Sequence, residues 1–141
     1  MKKHILLLNL LAVGMITLVG CSNGKDTDQS ESVSEETETI LEKISAEEAK
    51  TMMEESKDII ILDVRTEEEY SEGHIEGALL IPDYEISEKA TELLKDTDAT
   101  ILVYCRSGRR SAISAQELSD LGYTSIYDFG GILDWPYDIV N

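Results

Sequence analysis

From Ile40 onward, apolar residues come in short unbroken runs, and amphipathic stretches of helical length separate them. Ile59-Ile60-Ile61-Leu62 and Ile101 to Tyr104 are continuous apolar runs, the mark of strands covered on both faces. Ile40 to Ile44, Ala78 to Ile81 (stopped by Pro82) and Ser125 to Tyr127 predict three more strands. Ser45-Ala46-Glu47-Glu48 is a capping box that opens a helix running to about Glu55, and Thr66-Glu67-Glu68-Glu69 is a second, opening a short helix. Ile86 to Leu94 has helical spacing. Ser111 to Leu121 sets Ala112, Ala115, Leu118 and Leu121 on one stripe, with Gly122 as the C-terminal cap. Gly73 and Gly77 punctuate a loop, and Gly130-Gly131 leads into a final turn or helix near Ile132 to Trp135. Buried strands alternating with helices predict an α/β fold, a mainly parallel sheet of about five strands with helices on both faces. Sites in such sheets lie beyond the carboxyl ends of the strands, which is where Cys105, Asp63 and Arg65 fall.

The chain before Ile40 is patterned differently. Lys2 and Lys3 precede a largely apolar run from Ile5 to Val19, closed by Leu18-Val19-Gly20-Cys21. That is the layout of a secretory signal, and it is shorter than the roughly 20 apolar residues of a stable span. The closing tetrapeptide resembles a bacterial lipobox, which implies processing before Cys21 and a diacylglyceryl thioether on its sulfur rather than an uncleaved anchor helix. Two or more acyl chains suffice for stable anchoring. Residues 22–39 are rich in Ser, Thr, Asp, Glu and Gly, with Val33 the only large apolar side chain, so they cannot bury enough surface to fold. The expected organisation is a signal peptide at 1–20, an acidic tether at 21–39 and one domain at 40–141. The expected location is the extracytoplasmic face of the cell membrane, through the lipid on Cys21.

Charge and cysteine count narrow the chemistry. The net charge is −17, and removal of Lys2 and Lys3 takes it to −19. So acidic a chain is repelled by phosphates, which excludes nucleic acid as a partner. With Cys21 lipidated, Cys105 is the sole free thiol and no intramolecular disulfide can form. One Cys and two His, of which His4 is lost on processing, cannot supply four ligands to a structural zinc.

Against that acidity, no Asp or Glu occurs from Ala99 to Gln116, and three of the four arginines are Arg106, Arg109 and Arg110. They surround Cys105. A free thiol is roughly 3% ionised at neutral pH, and amides at a helix start and nearby guanidinium groups both favour the thiolate. The backbone from Arg106 through Ser107, Gly108, Arg109 and Arg110 to Ser111 contains no proline, so its N–H groups can converge on the sulfur or on a bound anion. Gly108 permits the tight curvature. A buried structural cysteine would not call for three adjacent cations.

Four segments carry a family resemblance: Asp63-Val64-Arg65 with Glu69-Tyr70; Gly73-His74-Ile75-Glu76-Gly77-Ala78 with Ile81-Pro82; the Cys105 loop; and Gly130-Gly131 with Trp135. In this order and spacing they resemble a single rhodanese-like (sulfurtransferase) domain over about Ile40 to Asn141. The resemblance implies that Cys105 is the nucleophile and carries a persulfide, formed from thiosulfate or a persulfide donor and passed to a thiol or cyanide. It implies that Arg106 and Arg110, with Arg109, hold a small anionic donor beside Ser107, Gly108 and Ser111. Asp63, Arg65 and His74 are expected to shape the loops, with Asp63 and Arg65 also pairing with Glu69. Trp135 is expected to pack under Gly130-Gly131. No metal or organic cofactor is implied. The loop of six residues, Cys105 to Arg110, matches the sulfurtransferases, whereas the related phosphatases of this fold use seven; no resolving cysteine is present for redox cycling. The alternative to a thiosulfate-turning enzyme is a persulfide carrier that hands sulfur to a partner protein.

Overall fold

In the computed structural model, residues 38–141 are described; the signal segment, Cys21 and nearly all of the expected tether lie outside them. Five strands form one sheet in the order β1-β5-β4-β2-β3, and every pair is parallel: β1 (Ile40–Lys43), β2 (Ile60–Asp63), β3 (Leu79–Leu80), β4 (Thr100–Cys105) and β5 (Ser125–Gly131). The helices are α1 (Ala46–Glu55), α2 (Glu67–Ser71), α3 (Ile86–Leu93) and α4 (Arg109–Asp120). Both expected capping boxes form: Ser45 with Glu48 on α1, and Thr66 with Glu69 on α2.

Alternation along β4 divides the core in two. Ile101, Val103 and Cys105 face α3 and α4, packing with Ile86, Ala90, Ala115 and Leu118. Leu102 and Tyr104 face α1, packing with Ala49, Phe129 and Trp135. Strand β4 therefore lies in the middle of the sheet with both faces covered, as its unbroken apolar run requires. Cys105 is its last residue.

Two boundaries near Cys105 differ from the sequence expectation, as does the buried face of α4. Helix α4 begins at Arg109 rather than Ser111. Gly108 precedes it in the left-handed conformation (φ 95°) and its carbonyl accepts the Ala112 amide, so Arg109, Arg110 and Ser111 form the first turn. The buried face of α4 is Ser111, Ser114, Ala115 and Leu118; Ala112 is exposed. Small hydroxyl side chains let the helix start sit close to the sheet, where the Ser111 hydroxyl reaches the carbonyls of Gly108 and Gly130 at 3.2 and 3.1 Å. Strand β5 continues past Tyr127 to Gly131, through the residues expected to turn. It does so on a bulge: Val103 pairs with Asp128 but Cys105 with Gly131, so β5 carries one extra residue there, with Gly130 at φ 89°. Ile132–Asp134 then makes the final turn, as a short 3-10 helix.

Candidate active site

Cys105 ends β4 at the carboxyl edge of the sheet, and the chain turns through Arg106, Ser107 and Gly108 into α4. The sulfur is recessed, with the residue only 1% exposed. The Gly108 amide donates to Sγ at 3.1 Å. Burial pushes the thiol up. The Ser111 amide and hydroxyl, then the Gly108 and Ser107 amides, outweigh it and leave the thiol below its ordinary value. Of these groups the Gly108 amide makes the hydrogen bond to the sulfur, while the Ser111 hydroxyl is engaged by the Gly108 and Gly130 carbonyls beside it, an arrangement of amides expected of a helix start.

The loop is held by its surroundings on two sides. On one, the Arg106 carbonyl accepts the Leu133 amide at 3.2 Å, and Gly131 lies against the backbone of Arg106 and Ser107. A Cβ at Gly131 would sit 2.6 Å from the Ser107 Cα and closer still to the Arg106 carbonyl oxygen. A glycine is therefore required at 131 by close backbone approach. On the other side, Arg110 forks onto Glu69, Nη1 to Oε2 at 2.7 Å and Nη2 to Oε1 at 2.9 Å. Glu69 is also the α2 capping-box residue, so one carboxylate ties the loop to the start of α2. The expected pairing of Asp63 and Arg65 with Glu69 does not form: Glu69 pairs with Arg110, and Asp63 and Arg65 pair with each other.

That second pair is buried. Arg65 Nε reaches both Asp63 oxygens at 3.0 Å, Nη2 reaches Oδ2 at 2.7 Å, and Nη2 also donates to the Gly73 carbonyl at 2.8 Å. Burial works against the Arg65 charge, but Asp63 overrides it and raises the guanidinium above its usual range. The Tyr104 phenol is pushed upward, first by burial and then by Asp63; its oxygen accepts the Ile75 amide at 3.2 Å. His74 stacks on Tyr70, ring centroids 3.7 Å apart, with Nδ1 3.1 Å from the Tyr70 carbonyl, and its backbone bridges to Val140. Asp63 and Arg65 thus brace the Gly73 carbonyl while His74 packs on Tyr70, and none of the three is in hydrogen-bond contact with Cys105. Arg106 and Arg109 are exposed and form no ion pair among the described residues. Trp135 packs on Phe129, and its indole N–H points to the Asp138 carbonyl at 3.4 Å. A cavity of about 980 Å³ between α1 and the Trp135–Asp138 segment is lined by none of the Cys105-loop residues.

Comparison with known proteins follows this geometry. The sequence profile of the rhodanese-like domain matches residues 45–136. The chain belongs to the rhodanese-like domain family. Thiosulfate sulfurtransferase PspE of Escherichia coli is 38% identical over 73 residues, 52% of this chain and 70% of that one. A sulfurtransferase of Allochromatium vinosum is 32% identical over 97 residues, 68% and 89% of the two chains. Among solved structures, a rhodanese with anions from Escherichia coli superposes with TM-score 0.56 at 35% identity, covering 59% of this chain and 98% of that one. A rhodanese-like domain protein from Staphylococcus aureus gives TM-score 0.62 at 31% identity, covering 70% and 94%. The rhodanese match and the relatives make this chain a rhodanese-type sulfurtransferase.

Sequence reasoning singled out the thiol, its loop and the Asp63–Arg65 segment, but missed Glu69 as the partner of Arg110 and Gly131 as the floor of the loop. The Thr66–Glu69 box explains Glu69 locally, and nothing near it in sequence points to an arginine 41 residues away.

Proposed function

We propose that the chain moves sulfane sulfur from thiosulfate, or from a persulfide donor, to a thiol or to cyanide, through a persulfide on Cys105. The observation that carries this is the Gly108 amide donating to a recessed sulfur whose ionised form the Ser111 and Ser107 groups also favour. The thiolate attacks the outer sulfur of thiosulfate. The S–S bond of the donor breaks, sulfite leaves with the bonding pair, and Cys105 keeps the outer sulfur as a persulfide. The same amides then stabilise the charge on that outer sulfur. In the second half-reaction an acceptor thiolate or cyanide attacks the outer sulfur, and Cys105 leaves as a thiolate. Two half-reactions with a covalent intermediate give ping-pong kinetics. With Arg110 engaged by Glu69, donor recognition falls mainly to Arg106, Arg109 and the amides of Ser107 to Ser111. We place this activity at the outer face of the cell membrane, held by lipid on Cys21; the Leu18-Val19-Gly20-Cys21 tetrapeptide supports that location.

Mass spectrometry of the protein after incubation with thiosulfate tests the mechanism. The expected result is a gain of one sulfur atom on Cys105, removed by cyanide, and absent from Cys105→Ser. A Cys105→Ser protein that still released sulfite in turnover would end the proposal. Steady-state turnover with thiosulfate and cyanide separates the enzyme from the carrier: a carrier loads once and stalls.

A further inference from the structure

The three most exposed large apolar side chains among the described residues are Tyr84 at 67%, Leu133 at 66% and Ile113 at 57%. Each stands just past the carboxyl end of a different strand, on the edge of the sheet that carries Cys105. Tyr84 lies in the short 3-10 helix Asp83–Glu85 that follows β3 and packs against α4. Leu133 lies in the turn after β5, and its own amide holds the Arg106 carbonyl. Ile113 is on α4, one turn beyond Arg109 and on the same side of the helix. The Cys105 loop adjoins these segments: it runs directly into α4, its Arg106 carbonyl is held by Leu133, and it carries the exposed guanidinium groups of Arg106 and Arg109. Acids border the patch as well: Asp134 beside Leu133 is exposed, and Asp83 and Glu85 flank Tyr84, Glu85 being paired with Lys89.

A small inorganic donor needs the amides and the arginines; it gains nothing from apolar groups projecting into solvent. Apolar side chains clustered around a reactive centre are a mark of contact with a macromolecule. We propose that this rim docks a protein sulfur acceptor, one that presents its cysteine on a projecting segment flanked by apolar and acidic side chains. The projection is required because Cys105 is recessed, so the acceptor thiol must enter the loop. An acidic flank is complementary to the exposed guanidinium groups of Arg106 and Arg109, which form no ion pair among the described residues. This rests on the persulfide proposed above. The acceptor thiolate attacks the outer sulfur of the Cys105 persulfide, the bond between the two sulfurs breaks, and Cys105 departs as the thiolate; no oxidant enters.

Transfer from the thiosulfate-loaded full chain is measured to three synthetic peptides and to 2-mercaptoethanol. The peptides are Asp-Phe-Cys-Leu-Glu, its basic counterpart Lys-Phe-Cys-Leu-Lys, and the apolar-free Asp-Ser-Cys-Ser-Glu. The expected order is acidic-apolar first, by about tenfold over each of the others after correction for thiol ionisation. The triple variant Tyr84→Ser, Ile113→Ser, Leu133→Ser is expected to lose that advantage while releasing sulfite from thiosulfate and reacting with 2-mercaptoethanol as before. Equal rates to all three peptides would overturn the docking rim yet leave the persulfide intact. So would a chain that dimerises through this rim, seen as a dimer in sedimentation that the triple variant abolishes. Failure of the unaltered chain to load from thiosulfate or from a persulfide donor removes the Cys105 intermediate, and the rim proposal with it.

Discussion

Arg110 and Glu69 are 41 residues apart, and the guanidinium of one lies in a two-bond fork on the carboxylate of the other at 2.7 and 2.9 Å. The pair joins two helix starts, since Arg110 is in the first turn of α4 and Glu69 closes the capping box of α2. It also settles the charge beside the thiol. Arg110 is raised above its ordinary range chiefly by its bond to Glu69, so it stays a fixed cation near Cys105.

The pH dependence of stability follows from this pair. Arg110 brings the Glu69 carboxyl down from 4.5 to about 2, against the opposing effect of burial. A depressed carboxyl stabilises the fold fully above the unfolded value, and the contribution is lost as pH falls from about 4.5 through about 2. Glu69→Gln is expected to cost about 1–2 kcal/mol at neutral pH, a modest figure because the two side chains are 21% and 23% exposed. Urea unfolding across that acid range should show a shallower pH slope in Glu69→Gln than in the unaltered chain. Parallel slopes would mean that the pair contributes nothing to acid stability.

Ser111→Ala removes a hydroxyl that favours the Cys105 thiolate and that also bridges the carbonyls of Gly108 and Gly130. The ionisation midpoint, read from the pH profile of iodoacetamide labelling, should move upward toward that of a free thiol. Labelling and sulfur loading at neutral pH should slow together, and the two proteins should converge at alkaline pH where both thiols are ionised. An unmoved midpoint would assign the lowering to the backbone amides alone.

The two adjacent glycines should behave differently. Gly131→Ala drives a methyl into the backbone of Arg106 and Ser107, which neither side can avoid. The expected cost is about 2–3 kcal/mol, and a loop displaced by even 1 Å loses about a hundredfold in sulfur transfer. Gly130→Ala meets open space and strains only its own left-handed backbone, at about 1–2 kcal/mol. Thermal unfolding together with sulfite release distinguishes them: the ratio of activity loss to stability loss should be much larger at 131.

Arg65→Leu leaves the fully buried Asp63 carboxylate without its guanidinium and the Gly73 carbonyl without a donor. About 3–5 kcal/mol of destabilisation is expected. The double variant Asp63→Asn, Arg65→Leu should recover part of it, because no unpaired charge then remains. A single variant within about 1 kcal/mol of the unaltered protein in urea melts would show that the pair is solvated after all.

Much of the fold was legible because its signals are local. A capping box needs four consecutive residues, and Ser45–Glu48 and Thr66–Glu69 both form as written. The unbroken run Ile101 to Tyr104 marked a strand covered on both faces, and β4 is that strand. The thiol loop was legible for the same reason, since Cys105 to Ser111 is one contiguous cradle. Gly130 and Gly131 misled because two glycines usually signal a turn. In the structure they extend β5 on a bulge, for a reason supplied by a different segment, the Cys105 loop lying against them.

Sequence alone determined the class of fold and placed the Cys105 thiol at a strand end before a helix start, because these depend on residues within one or two turns of each other. The tertiary structure decided which arginine is held by a carboxylate and which stay free. It decided that Asp63 answers Arg65 and that glycine is obligatory at 131. Each of these joins segments that meet only after the strands take the order β1-β5-β4-β2-β3. A pairwise contact between distant residues leaves no periodic trace in either stretch of chain.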